Sequence, residues 1–97
     1  MRYRVSAEAQ EDLLEIFLYW RERANEQTAD RIIDSIVERF WLLGEYPSAG
    51  KSMDEIEQGL QCFPAGTYLI YYRASKNRTD ILHVFHGARD QNQAFEE

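Results

Sequence analysis

Cysteine is almost missing from this sequence. Cys62 stands alone among 97 residues, so no disulfide can form within the chain and the fold must rest on a packed core. Lysine is nearly as scarce, with only Lys51 and Lys76. The glycines (Gly44, Gly50, Gly59, Gly66 and Gly87) are scattered, so no glycine-rich loop is present to cradle a phosphate. No apolar run approaches the ~20 residues that a membrane-spanning helix needs. The opening Met1-Arg2-Tyr3-Arg4-Val5 lacks the apolar core of a secretory signal. These shortages together lead us to expect a soluble cytoplasmic protein with no membrane association.

What is present suffices for one domain spanning residues 1–97. Hydrophobic residues make up 44% and aromatic residues 13% of the chain, enough for a single core. The formal net charge is -6, which argues against a broad phosphate-gripping surface and against direct, specific nucleic-acid binding. The acidity is uneven. Residues 1–50 carry ten acidic against six basic side chains, whereas residues 51–90 carry five of each, so a local basic patch could still form in the second half.

Tyr3 and Val5 alternate with Arg2 and Arg4, which predicts a short strand over 2–5. Ser6 offers a capping oxygen, and Glu8, Glu11 and Asp12 suit the positive end of a helix dipole. Leu13, Ile16, Phe17, Trp20 and Ala24 then recur at helical spacing, predicting a helix over 7–24. Asn25 caps a second helix over 26–43, whose stripe is Ala29, Ile32, Ile33, Ile36, Val37, Phe40 and Leu43. Gly44 is placed to end it and Pro47 to prevent its resumption. Residues 44–58 read as a loop with at most a helical turn at 54–58. The period then falls to two. Strands are expected at 59–63, 68–74 and 80–86, joined by turns at Pro64-Ala65-Gly66-Thr67 and Ser75-Lys76-Asn77-Arg78. Residues 88–97 form a polar tail.

This order gives an α+β fold of two layers, β-α-α-β-β-β, with the helical hairpin packed on one face of a mainly antiparallel four-stranded sheet. Simple alternation puts Tyr68, Ile70 and Tyr72 on one face and Leu69 and Tyr71 on the other; Ile81, His83 and Phe85 likewise oppose Leu82, Val84 and His86. Both faces are apolar, and two helices cover only one. The uncovered face is then an aromatic patch for a partner, unless a loop folds across it.

Candidates for chemistry are few. His83 and His86, three apart on a strand, point to opposite sides, and with one cysteine in the chain no metal or other cofactor is expected. Cys62 reads as a small core residue rather than a nucleophile. The acidic pairs Glu11/Asp12 and Asp54/Glu55 read as solvated charges. His86-Gly87-Ala88-Arg89-Asp90 closes the last strand, and Arg89 is open to two readings, a surface ion pair or a partner anchor.

Taken in order, several pieces resemble one known family. They are Ser6, Ala9, Asp12-Leu13, Ile16 and Tyr19 on the first helix, Ala29 on the second, and Leu43, Pro47 and Gly50 after it. Gly59-Leu60, Tyr68 through Arg73, Ile81 and Val84 through Asp90 complete the set. This set is similar to toxins of the RelE/ParE superfamily, on the ParE side, and covers nearly the whole chain. The resemblance implies a first strand beside the last. It also implies a type II toxin that forms a hetero-oligomer with a cognate, ParD-like antitoxin, whose disordered C-terminal segment folds on binding. ParE-like members poison DNA gyrase without being nucleases themselves, so the resemblance leads us to expect a protein-binding poison rather than an enzyme. RelE-like members cleave ribosome-bound mRNA with clustered cations and a C-terminal Tyr or His. This chain has no Tyr, Lys or Arg after Arg89, which favours the gyrase side. On the alternative RNase reading, Arg73, His86 and Arg89 would be catalytic; a degenerate toxin retaining only antitoxin binding is the third class. Tyr68, Tyr72, Arg73, His86 and Arg89 are the expected antitoxin- or target-binding residues, with the two arginines holding carboxylates of an acidic segment.

Overall fold

The computed structural model describes residues 2–87; Arg89 and the 88–97 tail lie outside the described residues. Two helices pack on a mixed sheet. The elements are β1 (Tyr3–Val5), α1 (Ala7–Arg23), α2 (Glu26–Glu45), a 3-10 turn (Pro47–Ala49), β2 (Lys51–Ser52), β3 (Leu60–Ala65), β4 (Tyr68–Ala74) and β5 (Thr79–His86). The sheet runs β1-β5-β4-β3-β2, with β1 parallel to β5 and every other pair antiparallel. The α+β class is as the sequence predicts, but the sheet has five strands rather than four. The extra strand is two exposed residues pairing Lys51 with Cys62 and Ser52 with Gln61, too short to show any hydrophobic alternation.

Local chemistry explains the boundaries. The Ser6 hydroxyl accepts from Ala9 N at 3.0 Å, and Asn25 Oδ1 accepts from Thr28 N at 2.7 Å, so both helix starts are capped as expected. Gly44 does not end α2. The helix continues to Glu45, and Gly44 instead allows β1 to approach, since a Cβ there would lie 3.0 Å from Arg2 Cβ. Strand β3 runs through Pro64 and Ala65, leaving only Gly66-Thr67 as the turn. Gly66 has φ +64, and no other residue in that turn has positive φ, the pattern of a type II′ hairpin. Pro64 pairs with Leu69 beyond the end of β2, where an edge strand needs no donor.

Two apolar clusters flank the sheet. Ala9, Ile16, Ile36, Phe40 and Leu43 from the helices pack on Ala65, Tyr68, Ile70, Tyr72, Ile81 and Val84. On the opposite face Met53, Leu60, Cys62, Tyr71 and Phe85 gather, with Ile56, Leu69 and Leu82 at the margin. Each large side chain so buried stabilises the fold by about 1.5–3 kcal/mol. Two expectations are corrected here. The face carrying Tyr68, Ile70 and Tyr72 is the one beneath the helices, not an open patch. The other face is covered in part by the 53–59 segment, folded back through Met53 N to Leu60 O at 2.8 Å. Ile81 and Val84 also share a face, although strict alternation separates them. The register passes from Tyr71↔His83 to Tyr72↔Ile81, so Leu82 is an unmatched bulge residue that reverses the alternation.

Candidate functional site

Strand β1 accompanies β5 only over Thr79–Ile81. From Leu82 onward β5 has no neighbouring strand on that side among the described residues, because β1 is three residues long. Side chains of the helical layer fill part of the gap. Ser6 Oγ donates to Leu82 O at 2.9 Å. Asp12 Oδ2 accepts from Val84 N at 2.9 Å and lies 3.0 Å from His83 Nδ1. A carboxylate thus stands where a strand's carbonyl would be, which answers the usual hazard of an open sheet edge.

Beside this edge lies a groove of about 480 Å³, floored by Ile16 and Val84 and walled by Asp12, Glu15, Tyr19, Tyr68, Phe85 and His86. Its walls are held by specific contacts. Trp20 Nε1 donates to Tyr68 Oη at 2.8 Å, the rings of Tyr68 and His86 meet edge-on at 5.5 Å, and the Arg23 guanidinium lies 4.6 Å from the Tyr19 ring centroid. His83 stacks on Phe85 at 4.6 Å on the other side of the sheet, so the two histidines diverge as their spacing predicts. Among the described residues no three His, Cys, Asp or Glu side chains come together as a metal site, and no helix is long and apolar enough to cross a membrane.

The sequence-predicted site residues do not form one constellation. Tyr68 and His86 face each other across β4 and β5 at the groove. Tyr72 and Arg73 sit at the far end of β4. Tyr72 is fully buried; its hydroxyl donates to Pro47 O at 2.7 Å and accepts from Gly50 N at 2.8 Å, tying the 47–50 loop to the sheet. Gly50 is required there, because a Cβ would fall 2.4 Å from that hydroxyl. Arg73 pairs with Glu57 and lies against Gly59, whose N–H reaches Asp54 Oδ1 at 2.8 Å, so it secures the 53–59 segment. Arg73 stands opposite Asp80, six residues from His86 along β5, which is roughly 20 Å. Burial raises the pKa of the Cys62 thiol and of the Tyr71 and Tyr72 hydroxyls, leaving all three neutral in the ordinary pH range.

Sequence reasoning missed Asp12, which it took for a solvated, dipole-facing charge. The available signal was its place on the sheet-facing side of α1, four residues before Ile16. It also missed where exposed apolar surface collects. Among the described residues the exposed large hydrophobics are Leu14, Leu18, Tyr19, Trp41, Leu42 and Tyr46, all on the helical hairpin or its end.

Known proteins resemble this chain in fold and in sequence. The fold resembles a solved structure described as the chromosomal ParDE TA system from P. aeruginosa, with a TM-score of 0.78 over 89% of this chain and 95% of that one, at 17% sequence identity. Toxin ParE1 of Caulobacter vibrioides is 30% identical over 87 residues, covering 87% of this chain and 86% of the relative. Residues 3–91 match the family model for the ParE toxin of the type II toxin-antitoxin system parDE. With that match running from β1 past the last strand, the chain belongs to the ParE toxin family.

Proposed function

We propose that this protein is a cytoplasmic toxin that arrests DNA gyrase by binding it, and that a ParD-like antitoxin neutralises it in a hetero-oligomer. Family membership supports the system class. The observation that carries the non-enzymatic reading is the separation of Arg73 from His86: they stand near opposite ends of the β4–β5 pair, and Arg73, which would have to stabilise a phosphorane, is already paired with Glu57. A site that joins Arg73 to His86 has no support in that geometry.

The antitoxin surface is proposed at the groove end. Here Tyr68 and His86 offer aromatic contact, and Arg89 follows His86 by three residues in the sequence. Among the described residues no strand pairs with the outer edge of β5 past Ile81, and an added strand would take the place of Ser6 and Asp12 there. Tyr72 and Arg73 contribute by holding the loops that cover the sheet rather than by direct contact.

Purified protein added to gyrase, DNA and ATP should accumulate double-strand cleavage complexes, and stoichiometric antitoxin should prevent this. His86→Ala or Arg89→Ala should weaken the antitoxin complex by about 1–3 kcal/mol without lowering thermal stability. Undisturbed supercoiling at saturating toxin, with codon-biased mRNA cleavage in a translating extract, would overturn the gyrase reading.

A further inference from the structure

The outer face of α1 carries two exposed leucines among its charged residues. Ala9 and Ile16 are buried against the sheet, with Leu13 and Trp20 packed beside them. At 3.6 residues per turn the side opposite this core carries Glu11, Leu14, Leu18 and Arg21. All four are exposed, and the two leucines are 57% and 40% accessible. Their spacing of three, four and three is that of a helix-pairing seam.

The seam is also symmetric. Leu14 and Leu18 lie equally far on either side of residue 16, and Glu11 and Arg21 lie equally far beyond them. A helix laid against its own copy in the reverse direction therefore sets each Leu14 against a Leu18 and each Glu11 against an Arg21. Such a twofold contact is self-complementary, which is the condition for an isologous interface. An unrelated partner would have no need of this mirrored order. Arg21 is partly set for the role, since its guanidinium lies 5.9 Å from the Phe17 ring centroid on the same helix. Glu15, which would otherwise crowd the seam with charge, lines the groove.

We propose that a second copy of this chain docks on the outer face of α1, with the two helices antiparallel about a twofold axis at the level of residue 16. The proposal is independent of the gyrase reading and concerns the toxin free of antitoxin. One helix pair covers less than the ~800 Å² per partner of a standard interface, so the dimer belongs to the weak, transient class.

Sedimentation of the purified full chain from about 1 to 100 µM tests this, with circular dichroism melts confirming that each variant is folded. The wild-type chain should pass from monomer to dimer. Leu18→Glu should remain monomeric throughout. Glu11→Arg should raise the dimer dissociation constant about tenfold, since two attractive pairs become repulsive. The double variant Glu11→Arg/Arg21→Glu should recover dimerisation. Those two positions are ten residues apart on one helix and cannot meet within a chain, so only a second copy can produce the rescue. A wild-type monomer at every concentration would overturn the proposal. So would a dimer indifferent to Leu18→Glu, or a double variant that is not rescued. If the free chain is monomeric and Leu18→Glu lowers only antitoxin affinity, the face belongs to the antitoxin and the proposal fails.

Discussion

Each end of strand β4 sets a buried tyrosine beside a basic side chain, Tyr72 next to Arg73 and Tyr68 opposite His86 of β5, and the two pairs do opposite things. At one end Tyr72 and Arg73 are spent on the protein itself, one hydroxyl and one guanidinium fastening the 47–50 and 53–59 segments. At the other, Tyr68 and His86 border an open groove beside a strand edge that β1 is too short to cover. Tyr68 and Tyr72 read alike in the sequence, four residues apart on one face of the strand. What separates the two ends is which loop returns over them. The long 46–59 connection comes back over the Arg73 end, while the Gly66-Thr67 hairpin is too short to cover anything at the Tyr68 end.

Tyr72→Ala should therefore have the largest effect, and on stability. It opens a cavity beneath the helices and releases Gly50 N and Pro47 O together. The expected loss is about 3–5 kcal/mol in denaturant unfolding, with affinity for antitoxin unchanged in the fraction that stays folded. Tyr72→Phe isolates the hydroxyl and should cost about 1–3 kcal/mol. A Tyr72→Ala variant of full stability but weak antitoxin binding would erase the distinction between the ends.

Asp12→Ala probes the open end. The carboxylate is held largely away from solvent and accepts from Val84 N, so its removal leaves a strand N–H without that acceptor. A loss of about 1–3 kcal/mol is expected, together with faster amide exchange at Val84 than at the β4-paired positions of β5. Exchange at Val84 unchanged by the mutation would mean that Asp12 does not protect the edge.

A smaller effect should appear with alkaline pH. Cys62, Tyr71 and Tyr72 have folded pKa values raised by burial above their ordinary 9.0 and 10.0. Above those ordinary values the unfolded chain has released protons that the folded chain still holds. Stability is therefore intact below about pH 9 and falls as pH rises past it. Tyr71→Phe should flatten the fall seen in thermal melts between pH 9 and 11. A slope that is the same with and without the phenol would show that this buried cluster does not govern it.

Much of this layout was legible in the sequence. Ser6 and Asn25 announced both helix starts, and the shift from a period of 3.6 to two separated helices from strands. What could not be read depended on contacts between distant segments. The Leu82 bulge has no local signature, yet it decides which face Ile81 and Val84 share. The two-residue strand β2 exists only because Cys62 and Gln61 are there to pair with it. Of the expected site residues, Tyr68 and His86 fell together because strand register carries them. Tyr72 and Arg73 were claimed by loops whose course no periodicity encodes, and a residue's usefulness to a partner depends on what its own chain leaves uncovered.

The smallest effect should come from Arg73, and it tests the comparison most finely. Its bond to Glu57 is partly exposed on both sides, and such pairs are worth about 0.2–1 kcal/mol. Arg73→Ala should therefore cost no more than about 1 kcal/mol in global stability. Its effect should be local. The 53–59 segment loses one of the contacts that hold it, leaving the Gly59 bond to Asp54, the Met53 bond to Leu60 and the packing of Met53 and Ile56. Amide exchange should accelerate at Ile56 and Glu57 while Val84 is unaffected, and limited proteolysis should cut within 53–59 first. If the arginine instead serves a partner directly, the segment's exchange will stay as it was and antitoxin affinity will fall by more than the stability does. That result would move Arg73 from the closed end of the sheet to the binding surface.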